Sequence, residues 1–151
     1  MPVEVGVGEQ RFAGPVSTTG GYKPPAQELE QIPAVKTDAS VPLIKLALAR
    51  SGDKGDHSNI GVIARKAEYL PYIKAALTTA VVRKYFAHVL AGAENGKVDR
   101  WELPGTMSLN FLLYNALGNG GSASLLTDPQ GKAFAQMFLD FPVPVPGNFR
   151  A

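Results

Sequence analysis

The stretch PLIKLALARSGDKGDHSNIGVIAR, residues 42–65, predicts how the fold begins. Its two short apolar runs, at 42–50 and 59–65, are typical of strands with a buried face. The polar residues 51–58 between them include two glycines, two aspartates, a lysine and a histidine. We therefore expect a hairpin or a strand–loop–strand unit, with residues 51–58 as a loop at the edge of a sheet.

Helical patterns follow this unit. Pro71 fits the first turn of a helix whose apolar residues recur at helical spacing. Thr78 or Thr79 can cap a second helix, which we expect to run to about Ala91. His88 lies on this second helix, and we interpret it as a surface or half-buried residue.

The next two segments predict a second hairpin. Residues 98–103 alternate so that Trp101 and Leu103 share one face and Val98, Arg100 and Glu102 share the other. This alternation predicts a strand that is exposed on one side, and we interpret Trp101 as a core residue rather than a binding platform. A turn at Pro104 and Gly105 connects it to a more buried strand within 106–117.

The end of the chain predicts one more helix and one more strand. Asp128 is suited to cap a helix that has Pro129 at its first position and ends at Asp140. Residues 141–146 alternate proline with valine, which restricts them to an edge strand or an extended segment. The order strand, helices, hairpin, helix and edge segment predicts an α+β domain with a ferredoxin-like split βαββαβ layout, in which helices cover one face of an antiparallel sheet.

Composition limits the function classes. A chain of 151 residues with 45% hydrophobic residues can build one core. Its net charge of +2 argues against a nucleic-acid partner, and no apolar run is long enough to span a bilayer. The absence of cysteine excludes disulfides, thiolate metal sites and a cysteine nucleophile. We expect a cytoplasmic protein with no nucleic-acid or membrane partner.

Residues 1–41 differ from the rest of the chain. They contain five prolines and five glycines, and their formal charge of −2 leaves +4 for the remainder. This composition predicts an arm that is extended or disordered, followed by a domain at 42–151. If the arm becomes ordered on a partner or a sister subunit, its anchors would be Phe12, Tyr22 and Ile32.

The polar residues 51–58 allow several functions. Glycine N–H groups together with Lys54 can bind a phosphate, although the standard nucleotide motifs are absent. Asp53 and Asp56 can ligate a divalent metal, but the spacing of a calcium loop is missing, so we predict neither a metal nor a cofactor. His57 beside a carboxylate can perform acid/base chemistry. The alternative is a polar turn whose side chains cap backbone N–H groups.

A second glycine-rich segment, NALGNGGS at 115–122, follows the predicted buried strand. Because both polar segments follow strands, they can converge at one site. Asn110 lies within that strand among apolar residues and needs a hydrogen-bond partner if it is buried, which favours a structural role over catalysis.

Four segments together resemble a known family. They are LARSGDKGDHSNIGVIAR at 48–65, WELPG at 101–105, LNFLLYNALGNGGSASLLTDPQGKAFAQMFLD at 109–140 and VPVP at 143–146. In this order they resemble the small ferredoxin-like domain of the acyclic terpene utilisation (AtuA) family. The resemblance covers about residues 42–146.

The resemblance carries expectations about function. In that family the domain occurs at the C-terminus of a larger protein or as a separate short chain. The resemblance therefore implies a large AtuA-like partner chain, a hetero-oligomer, and catabolism of branched, acyclic terpenoid-type acyl-CoA thioesters. The family signature matches Ser51, Gly52, Asp53, Lys54, Gly55 and Asn59, and it does not include His57.

The leading hypothesis is a small subunit that contributes the SGDKGD segment to a shared hydratase or lyase site. Asp53 would act as a general base or orienting group, Lys54 would steer a phosphate or carboxylate, and Asn59 would stabilise oxyanion charge. The substrate-binding set is Ser51, Gly52, Gly55, Asn110, Gly118, Gly120 and Gly121. The alternatives are a non-catalytic assembly module and a self-sufficient homo-oligomeric enzyme.

Overall fold

The chain forms two compact units, residues 1–31 and 32–151, and the computed structural model describes residues 2–15, 37–90 and 96–150. In the first unit, strand β1 (Pro2–Val7) pairs antiparallel with β2 (Gln10–Pro15). This hairpin was not predicted, and it leaves Phe12 more than half exposed. The proposed anchors Tyr22 and Ile32 lie outside the described residues.

The second unit is an α+β domain, which confirms the predicted fold class. Its strands are β3 (Ala39–Pro42), β4 (Ala47–Lys54), β5 (His57–Ala64), β6 (Val98–Leu103), β7 (Ser108–Leu113) and β8 (Pro142–Val145). Its α-helices are α1 (Leu43–Leu46), α2 (Leu70–Ala76), α3 (Thr79–Tyr85) and α4 (Phe134–Leu139). No helix in the described part of the chain is long and apolar enough to cross a membrane.

Two antiparallel sheets organise this unit. The main sheet has the strand order β4-β5-β7-β6, and β3 pairs with β8 in a separate two-stranded sheet. One face of the main sheet is buried because alternate residues such as Ile60 and Phe111 point toward the helices. The rings of Phe111 and Phe138, from β7 and α4, lie 5.8 Å apart in this core.

The first hairpin is tighter than the sequence predicted. Lys54 lies opposite His57, so Gly55 and Asp56 alone form the turn, with Gly55 at a φ of +67°. A positive φ at the first of two turn residues is typical of a type II′ hairpin. The prediction of a loop over 51–58 is therefore wrong, because most of these residues are paired in strands.

Three other predicted limits of strands and helices are wrong. Residues 43–46 are helical, so the first strand of the main sheet begins at Ala47 rather than at Pro42. Thr78 does cap α3, since its Oγ1 accepts from Val81 N at 3.3 Å, but the helix ends at Tyr85 rather than near Ala91. The last helix also starts later than predicted.

The late start of α4 follows from the way Asp128 is bonded. Its carboxylate accepts from the backbone N–H groups of Lys132 and Ala133 at 3.0 and 2.7 Å, and the helix begins only at Phe134. Gly131, at a φ of +60°, has left-handed backbone that a continuous α-helix does not contain. Asp128 therefore closes a loop in front of the helix instead of capping its first turn.

Candidate functional site

The helices of the described residues pack on one face of the main sheet, and we call the opposite face the open face. It carries Leu48 and Arg50 from β4, Asn59 and Ile63 from β5, Asn110 from β7, and Trp101 and Leu103 from β6. Trp101 is 44% exposed, so its interpretation as a core residue is wrong. Arg100 and Glu102 instead point to the helix side of β6, where they bond to each other and to α2.

A pocket of about 350 Å³ lies at the β4 side of the open face. Its lining residues are Arg50, Ser51, Gly52, Asp53, Lys54, Asn59, Gly61 and Lys132. Five of them, Ser51, Gly52, Asp53, Lys54 and Asn59, belong to the candidate set taken from the sequence. The pocket therefore gathers the signature residues of β4 and β5, and it adds three groups that the sequence left unassigned.

Two glycines form the floor of the pocket. Gly52 lies opposite Asn59, and Gly61 lies opposite both Arg50 and Asn110. Gly52 is buried, with the Lys132 ammonium close above it, whereas the backbone of Gly61 is only half-buried between the longer side chains around it. A Cβ atom at Gly61 would meet nothing closer than the Arg50 carbonyl oxygen at 3.8 Å, so the space above this residue is empty.

Ser51 connects the pocket to the helix layer. Its hydroxyl donates to the carbonyl oxygen of Lys132 at 3.2 Å and accepts from Ala135 N at 2.9 Å. These two bonds attach the start of α4 to the edge strand β4. The Lys132 ammonium then reaches to 3.2 Å from the place where a Cβ atom of Gly52 would be. Ser51 therefore positions Lys132 rather than presenting its own hydroxyl, which is buried.

Positive charge dominates the pocket. Arg50, Lys54 and Lys132 stand against one carboxylate, Asp53. Among the described residues, none of the three cations has a carboxylate within ion-pair distance. The second aspartate of the signature, Asp56, is turned away and accepts from Asn119 N at 2.6 Å. The pocket is consequently suited to an anion.

Two amides border the pocket toward the centre of the sheet. Asn59 Nδ2 donates to Asn110 Oδ1 at 3.5 Å, and both side chains are half-buried. This contact is at the limit of hydrogen-bond length, so it holds the amides only weakly. Asn110 thus has the partner that its position required, and Asn59 keeps a second N–H available.

The second glycine-rich segment contacts the hairpin turn and does not line the pocket. Leu117 N donates to Asp56 O at 3.1 Å, and Gly120 packs directly against the carbonyl group of Gly55. Gly118 and Gly121 belong to the same segment and likewise stand outside the pocket lining. The structure brings the two segments together as a supporting contact, with Gly55 at the turn.

His57 is also engaged with the second segment. Its Nδ1 accepts from Asn115 N at 3.1 Å, and its ring lies 4.8 Å from that of Tyr114. Nδ1 therefore carries no proton while this bond is formed.

The described residues contain no cluster of three His, Cys, Asp or Glu side chains able to hold a metal ion.

A polar cluster continues the open face beyond His57. Lys97 Nζ contacts Asp99 Oδ2 at 2.9 Å and the Tyr114 hydroxyl donates to the same oxygen at 2.9 Å. The bond from Lys97, assisted by Tyr114, holds the pKa of Asp99 below its ordinary value. Asp99 therefore stays ionised at neutral pH and is already satisfied by its neighbours.

Three pocket residues were not assigned from the sequence. Arg50 and Gly61 stand next to the signature, and a period of two along the strands would have placed them on the face of Asn59. Lys132 lies more than 70 residues further along the chain, and no local pattern connects it to the signature. Only the bonds of Ser51 to the start of α4 bring it there.

Comparison with protein families identifies the second unit. The family model of the AtuA ferredoxin-like domain matches residues 41–144, which include every strand and helix of the main sheet and its helix layer. Comparisons with curated proteins and with solved structures give no match. The chain therefore belongs to the family of the AtuA ferredoxin-like domain.

Proposed function

We propose that this chain is the small subunit of a heteromeric AtuA-like enzyme that acts on branched, acyclic terpenoid-type acyl-CoA thioesters. In this proposal the open face contributes to a hydratase or lyase site that it shares with a large AtuA-like chain. One observation carries the proposal: the pocket and a set of exposed apolar side chains lie on the same uncovered sheet face.

The apolar side chains form a strip across the open face. The apolar strip consists of Leu48, Ile63, Leu103 and Trp101, which are 54%, 48%, 46% and 44% exposed. Leu48 lies opposite Ile63, and only Ser108 separates Ile63 from Leu103. Contiguous exposed apolar surface of this kind is typical of protein–protein contact sites.

A partner on the apolar strip would also cover the pocket. Arg50 follows Leu48 by two residues on β4, and Gly61 precedes Ile63 by two residues on β5. The strip and the pocket are therefore about 7 Å apart along the strands. Covering both would exclude water and strengthen the electrostatic interactions of a bound anion. Asp53, Lys54 and Asn59 would then contact the acyl-CoA substrate inside the shared site.

The proposed contact between the apolar strip and the large chain is tested with Leu48→Ser. We expect the natural chain and a large AtuA-like chain, expressed together, to elute as one complex whose mass by light scattering contains both. Leu48→Ser should weaken this complex at least ten-fold, because it removes an apolar contact and adds a hydroxyl to a buried interface. The single Trp101 should shift its fluorescence to shorter wavelength when the natural complex forms.

The matched control is Leu125→Ser, since Leu125 is a fully exposed leucine that is not part of the apolar strip. This variant should assemble as the natural chain does. A stable homo-oligomer that does not bind the large chain would contradict the proposed subunit role. Equal weakening of the mixed complex by Leu48→Ser and Leu125→Ser would contradict it as well.

A further inference from the structure

We propose that the pocket binds phosphate groups, and that in the acyl-CoA substrate it holds the phosphates of the coenzyme rather than the reacting acyl group. The choice of coenzyme A rests on the proposed function, whereas the preference for phosphate rests on the pocket alone. Of the three residues that the sequence suggested as catalytic, Asp53, Lys54 and Asn59, the last two are then binding residues. The reacting groups would come from another part of the shared site.

The charge of the pocket favours a dianion. Arg50, Lys54 and Lys132 supply three positive charges against the single carboxylate of Asp53, which leaves a formal excess of two. A phosphate monoester or a diphosphate carries about two negative charges at neutral pH, whereas one carboxylate carries a single charge. The guanidinium of Arg50 also presents the planar pair of donors that matches phosphate oxygens.

The shape of the pocket favours phosphate for a second reason. The absence of a side chain at Gly61 lets a bulky tetrahedral group approach the sheet backbone, and the absence of one at Gly52 lets the Lys132 ammonium lie beside it. The half-buried amide of Asn59 borders this space and supplies a neutral donor. The lining contains one carboxylate, Asp53, and among the described residues it forms no ion pair with the three cations.

The position of Lys132 makes this a built site rather than a chance cluster of surface lysines. Its backbone carbonyl accepts from the buried Ser51 hydroxyl of the edge strand, which also accepts from Ala135 N, and its backbone N–H donates to the Asp128 carboxylate in the same loop. The cation is therefore brought over the glycine floor by contacts that involve buried groups. Arg50 and Lys132 thus reach the same pocket from two segments that are far apart from each other in the sequence.

The test is isothermal titration of the full chain, alone and together with the large AtuA-like chain. Coenzyme A and pyrophosphate should bind, and pantetheine, which has the same thiol arm without phosphate, should not. Binding of coenzyme A at least ten-fold tighter than pyrophosphate would assign the coenzyme as the source of the phosphate. Equal affinities would assign a free phosphate ligand and overturn only the choice of coenzyme.

Charge-removing variants locate the binding. Arg50→Gln and Lys132→Gln should each weaken coenzyme A binding roughly ten-fold or more, the effect of losing one charge-assisted hydrogen bond. The control is Lys84→Gln, which removes the same charge from an exposed position on α3. Equal weakening by the control, or equal binding of pantetheine and coenzyme A, would overturn the phosphate site.

A further variant fills the floor without touching a charge. Gly61→Ala adds a methyl group where the nearest atom is 3.8 Å away, so the melting temperature should be nearly unchanged. Binding of coenzyme A should nevertheless fall, because the methyl group occupies the space for the anion. Unchanged binding would overturn the assignment. If the natural chain forms the mixed complex but does not bind coenzyme A, the phosphate site is overturned while the subunit role stands.

Discussion

Replacing Gly120 by alanine is expected to lower the free energy of unfolding by about 3 kcal/mol, through backbone strain and a steric collision together. Gly120 has a φ of +72°, and an added Cβ atom would lie 2.8 Å from the carbonyl carbon of Gly55. Gly55 and Gly120 meet here through their backbones, so neither residue can move away without opening the contact between the second glycine-rich segment and the hairpin turn. Thermal and urea unfolding followed by circular dichroism measure the change.

The neighbouring glycine provides the control for this prediction. Gly121 also has a positive φ, +50°, but a Cβ atom there would meet nothing within 4 Å. Gly121→Ala therefore reports the cost of the backbone conformation alone, which is expected to be about 1 kcal/mol. Equal losses for the two variants would show that Gly120 does not pack against the hairpin turn as described.

The second large effect is expected at Arg100, whose side chain joins β6 to α2. Its Nη1 donates to the carbonyl oxygens of Lys74 and Leu77 at 2.9 and 3.1 Å, and its Nη2 lies 3.0 Å from Glu102 Oε1. Glu102 also pairs with the Lys74 ammonium at 2.8 Å, and these three side chains are only 13–16% exposed. Arg100 therefore satisfies polar groups that water reaches poorly.

Arg100→Ala should lower the free energy of unfolding by about 3 kcal/mol, because it removes the donor of two carbonyl groups and one partner of the partly buried Glu102 carboxylate. Arg100→Lys should recover little of this loss, since a single ammonium nitrogen cannot take the positions of both Nη1, which bonds the two carbonyls, and Nη2, which bonds Glu102. The measurement is again chemical unfolding of the purified chain.

A second ion pair on the same strand serves as the comparison. Lys97 and Asp99 lie 2.9 Å apart, but the Lys97 side chain is 60% exposed. Lys97→Ala should leave the unfolding midpoint nearly unchanged, because solvent screens such pairs. A loss at Lys97 as large as that at Arg100 would contradict the view that burial makes the Arg100 network important.

The sequence was most informative where neighbouring residues determine the structure. Thr78 caps its helix as predicted, because a capping hydroxyl needs only the backbone three residues later. Asp128 has a carboxylate that is equally able to cap, but Gly131 diverts the chain before the helix forms. Local rules therefore identified the right side chain in both cases, and the helix start in only one.

The β6 strand shows where local patterns were not sufficient. Its alternation correctly divided Trp101 and Leu103 from Arg100 and Glu102, but the pattern does not say which face the helices cover. The apolar pair lies on the open face and the charged pair faces the helices, because the main chain of α2 offers acceptors for Arg100. On the helix side of β6, a charged side chain that donates to these carbonyl groups is therefore favoured over the apolar side chain that usually occupies a buried position.

The fold class, the family and the two hairpins could be predicted from the amino-acid sequence, because apolar periodicity, turn glycines and short motifs are all local properties. The folded chain was needed to show that Lys132 joins Arg50 and Lys54 over a floor of two glycines, and that Gly118, Gly120 and Gly121 lie outside this pocket. These placements depend on strand register and on the bonds of the buried Ser51, which connect segments more than 70 residues apart. Contacts over such separations depend on how the whole core packs, and no local pattern records them.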